Sequence, residues 1–222
     1  MAYFKQAADL NYKEAQTTMG TIYISDLYVP KDIDKAVEYF TKAANQNFEV
    51  AQYHLGYIFL YEKYYPHDIN KSIYYFTLSA NQGYADSQYE LGIIYYDGMY
   101  VARDFNKAIE YLEKASKQNH IKSLHILGII NLQYDIRRSI NYLTIAANLN
   151  NIHSQYMLGL IYCDNESNTY DINKAIYYLK LAADKNHVES QFVLGCLFYE
   201  NKFIPNNIEK CIQYLKKAAD NN

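Results

Sequence analysis

The chain repeats itself, and the period of the repeat leaves few folds open. AQYHLGYIFLY (51–61), SQYELGIIYYD (87–97), SQYMLGLIYCD (154–164) and SQFVLGCLFYE (190–200) are one pattern, with AQTTMGTIYIS (15–25) and SLHILGIINLQ (123–133) as weaker copies. Their glycines, Gly20, Gly56, Gly92, Gly128, Gly159 and Gly195, stand 36, 36, 36, 31 and 36 residues apart. A second pattern alternates with the first: DIDKAVEYFTKAANQN, DINKSIYYFTLSANQG, DFNKAIEYLEKASKQN, DIRRSINYLTIAANLN, DINKAIYYLKLAADKN and NIEKCIQYLKKAADNN. A seventh copy, AYFKQAADLN, opens the chain without a first-pattern partner. Self-similarity at a period between about 20 and 50 residues marks stacked supersecondary units. The divisions expected are a half repeat 1–14 and repeats 15–50, 51–86, 87–122, 123–153, 154–189 and 190–222, a single array over 1–222.

Each pattern reads as a helix. In DINKAIYYLKLAADKN the apolar residues Ile172, Ala175, Ile176, Leu179, Ala182 and Ala183 recur at steps of three and four. Asp32, Asp68, Asp104, Asp135 and Asp171, with Asn207, stand where an N-cap accepts from orphan backbone N–H groups. Pro30, Pro66 and Pro205 each precede that cap by two residues, where no helical hydrogen bond is lost. Asn11, Asn47, Gly83, Asn119, Asn150, Asn186 and Asn222 share one position at the other end, and Asn and Gly tolerate a left-handed C-cap. The residue after it is usually a ring (Tyr12, Phe48, Tyr84, His120, His187), as a hydrophobic contact beyond a Schellman cap requires.

The first helix carries a glycine at its centre, where Gly costs about 1 kcal/mol relative to Ala. Repetition of that cost in register implies that a neighbouring helix approaches too closely for a side chain. The small pairs of the second helix, such as Ala43–Ala44 and Ala182–Ala183, are the expected partners. Leu55, Ile58 and Phe59 in one copy, and Leu91, Ile94 and Tyr95 in the next, would then fill the core. The fold class expected is all-α: an α-α superhelix, or solenoid, of antiparallel helix pairs contacting mainly their neighbours.

Composition narrows function by exclusion. The 222 residues are 50% hydrophobic and 20% charged, which fits a folded protein rather than a disordered one. Net charge is −3, so nothing advertises a nucleic-acid or anionic-membrane surface. Three Cys build no disulfide framework, and no apolar run reaches the roughly 18 residues of a membrane span. With no signal-peptide stretch at MAYFKQAADLN, the expected compartment is cytoplasmic. The unpaired opening helix and the final cap Asn222 read as a segment of a longer array.

The string A/S-Q-x-x-L-G-x-x-Y followed by D-x-x-K-A-x-x-Y-x-x-A-A closely resembles the Sel-1-like repeat, a relative of the tetratricopeptide repeat, over essentially the whole chain. The resemblance implies a right-handed superhelix with the first helices on its concave side. It also implies a role as a non-catalytic scaffold or adaptor. Repeat four departs from the pattern: Gly128 to Asp135 spans 7 positions where the others span 12, and Asn131 replaces the ring. The shortening is expected to fall in the loop before Asp135 and to leave both helices and the stack intact.

None of the 21 Lys and Arg falls within 15–25, 51–61, 87–97, 123–133, 154–164 or 190–200, which do carry Glu90, Asp97, Asp164 and Glu200. The first-helix face therefore reads as aromatic, apolar and mildly acidic, and the opposite face as cationic. Three residues before each glycine stand Thr17, Tyr53, Tyr89, His125, Tyr156 and Phe192; one after stand Thr21, Tyr57, Ile93, Ile129, Leu160 and Cys196. In tetratricopeptide-type pairs such offsets line the ligand groove. By that resemblance Tyr53, Tyr57, Tyr89, His125, Tyr156 and Phe192 are the candidate contacts for a partner protein or peptide that is apolar with some basic residues. The rings at minus three read equally well as packing between repeats.

Other chemistry finds little footing. The six histidines form no i, i+4 pair and no H-E-x-x-H, so neither a metal nor another cofactor is expected. Cys163, Cys196 and Cys211 take slots that elsewhere hold apolar or small residues. No phosphate loop or nucleophile elbow is present, and no catalytic residue is assigned. The alternatives are an RNA-binding helical-hairpin array, which needs cations in the groove, and a hydrolase-type Sel-1-like protein, which would carry paired Cys.

Overall fold

The computed structural model describes residues 1–63, 65–200 and 207–221, and of Glu200 the backbone alone. Among the described residues there are thirteen helices and no strand. They are α1 (Ala2–Asp9), α2 (Lys13–Ser25), α3 (Ile33–Ala44), α4 (Glu49–Tyr61), α5 (Ile69–Asn81), α6 (Ala85–Asp97) and α7 (Phe105–Ser116), then α8 (Ile121–Asn131), α9 (Ile136–Asn148), α10 (Ile152–Cys163), α11 (Ile172–Ala183), α12 (Val188–Glu200) and α13 (Ile208–Asp220). The first seven form one compact unit, Met1–His120, and the last six another, Ile121–Asn222.

The local signals act as read. The side chains of Asp32, Asp68, Asp104, Asp171 and Asn207 accept from the N–H three residues on, at 3.0–3.1 Å. Asp135 accepts from both Arg137 and Arg138. Asn11, Asn47, Asn119, Asn150 and Asn186 hold φ between 59° and 69°, and Gly83 holds 93°. At that cap the Gly83 N–H donates to the Ala80 carbonyl and the Tyr84 N–H to that of Ser79, a Schellman arrangement. Asn222 and Pro205 lie outside the described residues.

The first helices begin two residues sooner than expected. Tyr12, Phe48 and Tyr84 serve as N-caps in extended conformation without a side-chain cap bond. Two corrections follow. Lys13 lies in α2 and Lys122 in α8, so first helices are not free of cations. The extra turn also adds Glu14, Glu49, Asp86 and Glu189, all where the helix dipole favours a negative charge.

Within a repeat the two helices run antiparallel at close range. Ser72 Oγ donates to the Gly56 carbonyl at 2.8 Å; seven residues on, Ser79 Oγ donates to the Glu49 carbonyl, seven residues back. The glycines are indeed contact points, but their partners are not the alanine pairs. A Cβ on Gly56 would meet the Phe76 ring at 2.7 Å; on Gly20 it would meet Phe40 at 2.7 Å, and on Gly92, Leu112 at 2.7 Å. The large residue needs the glycine, and the small residue four before it (Ala36, Ser72, Ala108) lets the backbones close. All six of these second-helix residues are fully buried. Both helices of repeat four form and pack on each other, and Asn131 turns its amide back to the Leu127 carbonyl at 2.7 Å.

In four repeats a glutamine reaches back to the helix before. Gln88 Nε2 donates to the Ala80 carbonyl of the preceding helix at 3.1 Å, while its Oε1 accepts from Gln118 at the end of its own pair at 3.0 Å. Gln16, Gln155 and Gln191 make the same links to Ala8, Ala147 and Ala183. All four glutamines are buried.

Candidate partner-binding face

The second helices spend their cations on structure. Lys35, Lys71, Lys107 and Lys174 lie 2.8–3.6 Å from their own N-cap carboxylates. Each also sits 5.0–5.4 Å over a first-helix ring, Tyr23, Phe59, Tyr95 and Tyr162 respectively. Those rings stack nearly parallel on Tyr39, Tyr75, Tyr111 and Tyr178. Lys42 and Lys114 pair with Glu38 and Glu110 at 2.6 Å. The face expected to be cationic thus carries carboxylates beside these six lysines, and Tyr39, Tyr75, Tyr111 and Tyr178 stack within their own repeats.

Four of the rings three before the glycines, Tyr53, Tyr89, His125 and Tyr156, are half-buried at the joints between repeats. Tyr53 lies 5.3 Å from Tyr84, Tyr89 lies 5.0 Å from His120, and Tyr156 lies 4.9 Å from His187, always the ring that follows the left-handed cap. His125 Nδ1 is 2.9 Å from Ser154 Oγ, and its ring is 6.1 Å from His153. Phe192 is exposed and, with Tyr156, Val188, Val193 and Leu215, lines a cleft of about 820 Å³.

In the first unit two candidates come together with Glu90 and with Tyr61, which the sequence did not single out. Tyr53, Tyr57 and Tyr61 form one row on α4, with centroids 6.2 and then 4.8 Å apart. Tyr57 and Tyr61 are 42% and 39% exposed, so the row opens to solvent towards its end. The Tyr61 hydroxyl donates to Glu90 Oε2 on α6 at 2.8 Å. Burial first, and then the Glu90 charge, push the phenols of Tyr53, Tyr61 and Tyr89 upward, so all three stay neutral. A carboxylate amid neutral rings is a receptor for a cation that can lie on a ring face and pair with the acid. Tyr61 follows Tyr57 by four positions, and that spacing was the signal for it. Asp97 ends α6, Asp164 caps α10, and the Glu200 side chain lies outside the described residues.

Among the described residues no group of three or more His, Cys, Asp or Glu is placed to hold a metal ion, and no helix is long and apolar enough to cross a membrane. Cys211 is buried in the small-residue slot, whereas Cys163 and Cys196 are only partly buried. Burial lifts the Cys163 thiol to about 11, well away from a reactive thiolate.

Comparison with known proteins agrees with this architecture. A family model described as the Sel1 repeat matches residues 1–12, 13–48, 50–84, 85–120, 124–151, 152–187 and 188–222. A search of curated proteins finds no match. Among solved structures, a Sel1 repeat protein from Oxalobacter formigenes is similar at TM-score 0.81 and 24% identity, over 96% of this chain and 89% of that one. The protective antigen c5321 of uropathogenic Escherichia coli, with an SLR fold, has TM-score 0.61 and 23% identity over 99% of this chain and 56% of its own. The immunity protein Pa5087 from Pseudomonas aeruginosa has TM-score 0.53 and 15% identity, over 94% and 81%. At these identities the likeness is one of fold.

Proposed function

The chain belongs to the Sel1 repeat family, and on that footing we propose that it is a non-catalytic protein-interaction scaffold whose first-helix face binds a partner segment that is apolar with basic residues. Proteins of this repeat type are generally protein-interaction scaffolds. The observation that carries the reading is Glu90 held by Tyr61 beside the open row Tyr53–Tyr57–Tyr61. A Lys or Arg side chain would lie over Tyr57 and Tyr61 with its charge on Glu90, while apolar neighbours cover the ring edges. Tyr89, His125, Tyr156 and Phe192 are the remaining proposed contacts along the array. Individually modest contacts gain affinity when several repeats engage one ligand.

The test is a displayed random-peptide library selected on the whole chain. Selected sequences should be enriched in Lys or Arg flanked by apolar residues. Their binding should fall at least tenfold in Tyr57→Ala with Glu90→Gln, and hardly change in Lys114→Ala. Selection of acidic peptides whose binding depends on Lys114 would overturn the reading.

A further inference from the structure

The residue after each left-handed cap stands at the start of the next first helix, and its chemistry changes along the array: Tyr12, Phe48, Tyr84, His120, Asn151 and His187. At Asn151 and at His187 the side chain caps the helix that follows. Asn151 accepts from the Ser154 N–H at 2.7 Å. At the matching position 36 residues on, His187 does this with its ring. The Ser190 N–H donates to His187 Nδ1 at 3.3 Å, and the His187 carbonyl accepts the Gln191 N–H that opens α12. A backbone N–H only donates, so Nδ1 is the bare nitrogen and the ring proton sits on Nε2. The His187 side chain is 12% exposed, and Ser190 is fully buried.

The groups around this ring come from four helices. From α10 come His153, edge-on at 5.6 Å, and the Tyr156 ring at 4.9 Å, with His125 of α8 a further 6.1 Å beyond His153. The end of α11 supplies the Ala182 carbonyl, which accepts the His187 N–H. Asp184 and Lys185 follow α11, and the Lys185 ammonium is held by Asn150 and Gln155. Leu215, Ala218 and Ala219 of α13 share a cleft with Val188 and Glu189. Glu189 Oε2 lies 3.5 Å from Nε2, on a side chain that is 65% exposed and so screened by water. We propose that His187 is a proton-sensitive cap, which lets go of the first turn of α12 in mild acid and loosens the joint with α10 and α11 while the Asn151 cap on α10 holds. A second ring proton must enter at Nδ1, where it meets the Ser190 N–H. The new N–H can turn to Ser190 Oγ, 3.0 Å away, but the buried Ser190 N–H then loses this acceptor. The added charge also faces the positive end of the α12 dipole and lies beside a second imidazole, His153. Burial, the largest influence, lowers the His187 pKa from the ordinary 6.5; Glu189 opposes this and His153 adds to it. The opened segment takes up the proton near pH 6.5 while the closed one resists it, so the cap is at full strength above that pH and weakens as pH falls below it. The device lies in the second unit and does not depend on the Tyr57–Glu90 row.

The test is native-state hydrogen exchange on the whole chain at pH 7.5 and 5.5. Protection factors at Ser190 and Gln191 are set against those at Ser154 and Gln155, the same positions behind the Asn151 cap. Relative to that pair, protection at Ser190 and Gln191 should fall by about threefold or more between the two pH values. His187→Asn, which copies the α10 cap, should keep the ratio constant. An unchanged ratio in the parent, or the same fall in His187→Asn, overturns the proposal. Nitrogen NMR of the parent imidazoles needs no variant: at pH 7.5 His187 should show a bare Nδ1 and a protonated Nε2. A proton on Nδ1 would overturn the proposal equally.

Discussion

At Gly92 the absence of a side chain decides how two helices meet. A Cβ there would reach Leu112 Cγ at 2.7 Å and the Ala108 carbonyl at 3.4 Å, so neither the side chain nor the backbone has room to yield freely. Gly92→Leu is expected to destabilise by about 1–3 kcal/mol through overpacking, outweighing the helix propensity it gains; urea unfolding measures this, and a parental midpoint would refute it. The glycine could be read from its repetition, but its partner could not. Which side chain faces a glycine depends on the crossing of two helices, and Ala and Phe in the second helix satisfy the same periodicity. The buried glutamines were in plain sight in the repeated A/S-Q, yet their role needs a carbonyl eight residues back and an amide thirty residues on. His54 illustrates an electrostatic consequence of burial. Its ring stacks on Phe40 at 4.6 Å, and burial lowers its pKa from the ordinary 6.5. The unfolded chain takes up the proton near pH 6.5 while the folded one resists it, so His54 has no destabilising effect above that pH and stability declines as pH falls below it. His54→Met, the residue at the matching Met157, should reduce the loss of stability between pH 7.5 and 5.5.

At the scale of the element, boundaries were legible wherever a side chain marks them. The second helices start at an Asp or Asn that accepts a backbone N–H, and Asp104→Ala should cost about 1 kcal/mol, read from the shift in the denaturation midpoint. An unchanged midpoint would show that α7 does not need its cap. Three first helices, α2, α4 and α6, carry no such mark, because Tyr12, Phe48 and Tyr84 cap with backbone geometry alone, whereas Asn151 caps α10 by accepting from the Ser154 N–H. That is why their first turn, with Lys13 in it, was missed. The shortened repeat four shows how much an element tolerates: α8 and α9 both form with the loop reduced and with Asn131 in place of a ring. Its Tyr142 keeps the cation from its own helix, Arg138 at 6.0 Å, in place of the ring pair found in the other repeats.

At the scale of the whole molecule, stability in such arrays is close to a sum over repeats and the joints between them. Hydrogen exchange on Gly92→Leu should therefore show lost protection in α6, α7 and the helices joined to them, with α10 to α13 of the second unit hardly changed. Uniform loss across all thirteen helices would mean a cooperative chain rather than a nearest-neighbour one. The candidate face was half legible at this scale. Helical phase picked out Tyr53, Tyr57 and Tyr89, but Glu90 acquires its meaning only through Tyr61, a contact between residues 29 positions apart. The rings at minus three pack repeat against repeat, so the contacts we propose for a partner also serve the joints between repeats. The most direct measurement of the scaffold reading is amide hydrogen exchange on the whole chain with and without a library-selected peptide. Protection should appear along Tyr53–Tyr61 of α4 and Tyr89–Asp97 of α6; protection confined to α5 and α7 would contradict the account.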